Sequence, residues 1–103
     1  MTTISLPQAA YSASNAAIMG LARDLAQQWG VRKGIRVNTI ARGFIEGVNN
    51  VGGCPGEDHL ERILLGRTGV PEEIASTLVW LASDAGGYVT GQTVVVDGGV
   101  TIT

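Results

Sequence analysis

Tyr11 and Asn15 stand four residues apart in the run Tyr11-Ser12-Ala13-Ser14-Asn15-Ala16-Ala17, and residues at that spacing share one face of a helix. Free tyrosine titrates near ~10, so about one phenol in a thousand is ionised at neutral pH. A cation one helical turn away would lower that pKa. Asn15 offers a hydrogen bond but no charge. Taken alone, Tyr11 reads as a half-buried tyrosine at the start of a helix. The other reactive residue types offer less. His59 is the single histidine and has no second ligand beside it, so no metal site is expected. Cys54 is the single cysteine; it cannot close an internal disulfide, and no adjacent base or cation marks it as a nucleophile. Arg42 reads as a solvated loop charge. Gly52-Gly53-Cys54-Pro55-Gly56 is glycine-rich, but no strand feeds it and Pro55 interrupts it, so it does not read as a phosphate-cradling turn.

The elements that must position these residues follow from periodicity. Residues 12–29 read as a helix whose stripe is Ile18, Leu21, Ala22, Leu25, Ala26 and Trp29, with Arg23, Asp24, Gln27 and Gln28 facing away. Gly30 is the expected stop. Residues 35–41 are short, β-branched and almost continuously nonpolar apart from Arg36 and Asn38, which suits a strand covered on both faces. Residues 42–56 read as a loop, and a short helix over 57–65 turns Leu60, Ile63 and Leu64 inward. A third helix over 71–83 begins at Pro71, where a missing N–H costs nothing, and Glu72 and Glu73 favour the positive end of its dipole. Its expected buried stripe is Ile74, Leu78, Leu81 and Ala82. Residues 93–97 form the last strand, closed by Gly98-Gly99.

Strands joined by helical crossovers imply an α/β protein with a parallel sheet. The 103 residues suffice for one small core; 45% are apolar and 16% charged, a globular composition. The net charge of −2 gives no footprint for nucleic acid. No basic segment followed by a long apolar run marks a signal peptide, and no stretch approaches a membrane span, so a cytoplasmic location is expected. Two strands, however, make a marginal sheet with open edges, so the chain reads as half of a domain.

The segment from Tyr11 to Ala17 resembles the Tyr-x-x-x-Lys segment of short-chain dehydrogenases/reductases. Further matches come in the family's order: Gly34-Ile35-Arg36-Val37-Asn38-Thr39-Ile40, then Gly66-Arg67-Thr68-Gly69-Val70-Pro71-Glu72-Glu73-Ile74-Ala75, then Trp80-Leu81-Ala82-Ser83-Asp84, and finally Thr90-Gly91-Gln92-Thr93-Val94-Val95-Val96-Asp97-Gly98-Gly99. Together they cover about residues 8–100. The resemblance implies the C-terminal half of a Rossmann-like, doubly wound parallel sheet. Residues 1–103 would then form one incomplete domain without the N-terminal dinucleotide-binding half. It also implies NAD or NADP as cofactor and hydride transfer between a small alcohol and a ketone. Family members commonly form dimers and tetramers through the tyrosine helix, the third helix and the last strand. A homo-oligomer, or association with a relative, is therefore expected, with no nucleic acid or membrane as partner.

Against the family pattern, Tyr11 takes the catalytic position and Asn15 the position of the lysine that supports it and holds the cofactor ribose. After the first strand the family commonly reads Pro-Gly-x-Ile/Val-x-Thr, contacting the nicotinamide end of the cofactor. Here the run is Arg42-Gly43-Phe44-Ile45-Glu46-Gly47. Gly43 and Ile45 can still offer backbone groups, whereas Gly47 brings no hydroxyl. The family's catalytic serine lies about a dozen residues before the tyrosine, and Ser5 is too close to match it. The glycine-rich pyrophosphate turn, far upstream in the family, has no counterpart here. The resulting expectation is an oxidoreductase-like chain, truncated and inactive by itself, with weak or no cofactor binding. The alternative is a non-catalytic α/β module that associates with itself or a full-length relative.

Overall fold

The computed structural model describes residues 9–47 and 57–102, without the side chains of Tyr11, Glu57, Asp58 and His59. The expectations for Ser5, Cys54 and the glycine-rich run 52–56 lie outside the described residues.

Helix α1 spans Ala9–Lys33, longer at both ends than its apolar stripe suggests. Gly30 does not stop it. The Gly30 carbonyl instead accepts the Gly34 N–H at 3.1 Å, and Gly34, at φ 63, is the residue that leaves the helix. This is the left-handed cap that glycine adopts at least cost. Arg32 and Lys33 lie in the last turn, where positive charge suits the helix dipole, and the Lys33 ammonium sits 5.7 Å from the centre of the Trp29 ring. Of the predicted stripe, Ala22 and Ala26 are buried, Leu25 and Trp29 are half-buried, and Ile18 and Leu21 stay exposed. The helix docks through its two small residues; a Cβ added to Gly91 would lie 3.5 Å from the Ala26 Cβ.

Strands β1 (Thr39–Arg42) and β2 (Thr93–Val96) run parallel, with Thr39 opposite Thr93 and Arg42 opposite Val96. Among the described residues they form a two-stranded sheet, so each strand keeps an open edge. The first strand starts four residues later than its composition predicts, because the two polar residues in that run replace the ladder with side-chain bonds. Arg36 Nη1 and Asn38 Nδ2 both donate to the Val89 carbonyl, at 3.2 and 2.8 Å. Asn38 Oδ1 accepts from the Gln92 N–H at 3.1 Å, and the Val37 carbonyl accepts from Gly91 at 2.8 Å.

Helix α2 (Glu57–Arg62) ends earlier than expected. A turn follows in which Gly66 donates to the Ile63 carbonyl at 2.8 Å and Leu65 donates to the Gly98 carbonyl at 3.1 Å. Ile63 is thereby buried, while Leu64 remains exposed. Helix α3 (Pro71–Ala82) starts at Pro71 as read from sequence. Of its predicted stripe Leu81 is buried and Ile74 half-buried, but Leu78 and Ala82 are exposed. Among the described residues, two strands give three helices too little sheet to cover. A 3-10 turn at Asp84–Gly86 and another at Val100–Ile102 complete the order. The architecture is thus α/β, with helical crossovers between parallel strands. Among the described residues the buried apolar side chains, Ala22, Ala26, Ile45, Ile63, Leu81 and Val100, are spread over helices, loops and turns rather than gathered on one element.

Candidate functional site

Because β1 and β2 are parallel, the segments that follow them leave the sheet at the same end. That end, beyond the carboxyl termini of the strands, is where open α/β sheets bind ligands. The first segment is Gly43 to Gly47 and the second Asp97 to Gly99.

Gly43 continues the sheet by one bond, donating to the Val96 carbonyl at 2.9 Å, while its own carbonyl accepts from Arg42 Nη1 at 3.1 Å. Both backbone groups are therefore engaged within the protein. A Cβ at this position would stand 2.7 Å from the Cα and Cβ of Asp97, so the two segments can cross this closely only with glycine here. Asp97 organises the second segment: its carboxylate accepts the N–H of Gly99 at 2.9 Å and of Thr101 at 3.1 Å. Partial burial raises its pKa, but bonds from the Thr101 side chain and the Gly99 and Thr101 backbone outweigh that and hold the carboxyl below its ordinary value.

Ile45 is buried and pairs with Gly69 in an isolated parallel bridge. The bonds of that bridge belong to its neighbours: Gly69 donates to the Phe44 carbonyl at 2.9 Å and Glu46 donates to the Gly69 carbonyl at 2.8 Å. The N–H and C=O of Ile45 itself point the other way and take no backbone partner among the described residues. Two residues on, Gly47 adopts φ 75, a conformation that a β-branched residue reaches only with strain. Beside this segment lies a cavity of about 460 Å³, lined among others by Phe44, Ile45, Arg67, Glu73, Val96 and Asp97.

Arg67 and Glu73 close one side of that cavity. The guanidinium donates to both carboxylate oxygens, at 2.7 and 3.1 Å, and Glu73 also accepts the Val70 N–H at 3.1 Å. The Arg67 bond, helped by the Val70 N–H, holds the Glu73 carboxyl below the usual carboxylate range. Sequence reasoning placed Glu73 at the start of α3 for its charge alone; its pairing with Arg67 and the role of Asp97 were missed. The one available signal was an arginine six residues before a glutamate with Pro71 between them, a spacing that folds back on itself only when a helix begins there.

Tyr11 and Asn15 occupy the first two turns of α1, and Asn15 is half-buried. The structure thus gives the predicted residues in two pairs, one on a helix and one after a strand. No group of three or more His, Cys, Asp or Glu among the described residues could hold a metal ion, and none of the described helices is long and apolar enough to cross a membrane.

Residues 2–101 match the enoyl-(acyl carrier protein) reductase family. The chain is 43% identical over 97 residues to the 3-oxoacyl-(acyl-carrier-protein) reductase FabG of Thermotoga maritima, covering 92% of this chain and 39% of that protein. It is 45% identical over 96 residues to the acetoacetyl-CoA reductase of Rhizobium meliloti, covering 89% of this chain and 39% of the relative. Among solved structures, the NADPH-dependent 3-quinuclidinone reductase of Rhodotorula rubra superposes with a TM-score of 0.84 at 36% identity, over 100% of this chain and 38% of that one. The chain thus spans about two fifths of the length of the proteins it matches.

Proposed function

The chain belongs to the short-chain dehydrogenase/reductase family and has a partial Rossmann-like α/β fold, and from that premise we propose that it carries the proton-transfer and nicotinamide-side portion of an NAD(P)-dependent oxidoreductase site. The observation that carries the reading is the retention of Tyr11 on α1, with Asn15 one turn along, inside a match that runs through residues 2–101. NAD or NADP, when bound, supplies or accepts the hydride. The chain's own residues must then hold the nicotinamide end and move the hydroxyl proton of the substrate. Ile45 suits the first of these roles, because its side chain is anchored in the core while its N–H and C=O face away from Gly69. Gly43 sets the path of that segment by its close approach to Asp97. Tyr11 is the proton carrier. Asparagine at position 15 brings no positive charge to stabilise a phenolate, so proton transfer through this residue is slow.

The substrate class is a small ketone or the matching alcohol, the location cytoplasmic, and the chain alone binds cofactor weakly and turns over little or not at all. Titration calorimetry of the purified chain with NAD(H) and NADP(H) tests this. Weak or undetectable heat is expected, and micromolar affinity would overturn the reading.

A second reading rests on the apolar surface. Leu78, Val79 and Trp80 of α3 and Val95 of β2 are exposed, and each strand of the described sheet has an open edge. Those features suit a non-catalytic α/β module that works by associating with itself or with a full-length relative.

A further inference from the structure

We propose that Glu73 is a positioning residue, which through Arg67 and Val70 holds Gly69 where Gly69 fixes the backbone of Phe44 to Glu46. The contacts run without a break. The Glu73 carboxylate takes two bonds from Arg67 and one from the Val70 N–H, so one side chain ties down both ends of the segment 67–70. Arg67 Nη1 also donates to the Thr68 carbonyl at 3.1 Å, stiffening the segment from within. Gly69 lies between these anchors and exchanges its two backbone bonds with Phe44 and Glu46. The stack has little slack: a Cβ on Gly69 would stand 3.0 Å from Ile45 Cδ1 and 3.2 Å from Glu73 Oε2.

An exposed ion pair adds little stability in general, and both partners here are part-exposed, at 53% and 41%. A forked guanidinium–carboxylate pair fixes orientation as well as distance, however, and orientation is what a backbone bridge two bonds wide requires. The segment held in this way carries Ile45, so the consequence for cofactor placement rests on the function proposed above. The mechanical linkage does not.

Amide hydrogen exchange, read residue by residue by NMR on the full chain, tests the linkage. In Glu73→Ala the amides of Glu46 and Gly69 are expected to exchange roughly three- to ten-fold faster. The amides of Thr39 and Gly43, bonded to Gln92 and Val96, should keep their rates. Glu73→Gln retains an acceptor for the Val70 N–H and recovers part of the protection; should Glu73→Ala unfold, this milder variant carries the comparison. Equal acceleration of all four amides in both variants would make Glu73 a general stabiliser and overturn the proposal, as would unchanged rates at Glu46 and Gly69. The exchange pattern decides the linkage whether or not NAD(P) binds, so a failure of the cofactor reading stays distinguishable from a failure of this one.

Discussion

A phenol that must accept a proton at neutral pH needs stabilisation of its anion, and asparagine contributes dipole without charge. On the proposed reading of Tyr11, position 15 is where the missing charge matters most. When this chain is joined to the intact N-terminal half of a relative, the hybrid is expected to bind cofactor and turn over very slowly. Asn15→Lys in that hybrid is expected to raise kcat by about 10²- to 10⁴-fold, the usual span of general acid–base contributions. Full activity with Asn15 in place would show that another group supplies the charge. A folded hybrid that lysine fails to rescue would favour the non-catalytic module. Restoring threonine at position 47 is a poorer remedy, because Gly47 already uses φ 75 and the added side chain brings strain with its hydroxyl. Asp97 sets a pH dependence at this same scale. Its folded pKa lies below the unfolded one, so its contribution is complete above the unfolded value near ~4 and is lost as pH falls through the folded value. Asp97→Asn is expected to flatten the acid limb of a plot of melting temperature against pH below about 4; an unchanged limb would assign acid sensitivity to other groups.

Helix α1 separates two uses of glycine that look alike in sequence. Gly30 is inside the helix with nothing within 4 Å of the place a Cβ would take, and Gly34 leaves the helix at φ 63, equally unobstructed. Space is therefore not the difference; backbone conformation is. Gly30→Ala is expected to stabilise by about 0.5–1 kcal/mol, whereas Gly34→Ala is expected to cost about 1–2 kcal/mol, both read from urea midpoints at unchanged slope. Equal effects of the two would contradict the cap. The same pair shows where sequence reading reaches its limit. The order of helix, strand, helix, helix and strand was legible because apolar periods and the Pro71–Glu73 start are local signals. The choice of Gly34 over Gly30 was not, since either glycine can end a helix and only the backbone shows which one takes the positive φ. Nor was the late start of β1, because Arg36 and Asn38 find their partners at Val89 and Gln92, some fifty residues away. In the candidate site Gly43 and Ile45 could be named from order along the chain, but Asp97 packed on Gly43 and Glu73 against Gly69 arise only once distant segments meet.

At the scale of the whole molecule, the number of strands limits what the helices can bury. Ile18 and Leu21 on α1, Leu78 and Val79 on α3, and Val95 on β2 are each more than half exposed. Both strands also present an unpaired edge within the described sheet. Exposed apolar side chains and open strand edges each favour pairing with another chain, and a stable interface removes roughly 1,200–2,000 Å² in total. The isolated chain is accordingly expected to sediment as a dimer or larger species at micromolar concentration, with broad, concentration-dependent melting. Replacing Leu78 and Val79 together by lysine is expected to shift that distribution toward the monomer without changing the far-ultraviolet circular dichroism. Those side chains face outward and contribute little to the chain's own core, so a loss of helix signal would place them in the fold instead of at an interface. A sharply melting monomer at all concentrations would mean that the chain's own core, with the two strands and six buried apolar residues found among the described residues, suffices, and the associating module would lose its physical basis.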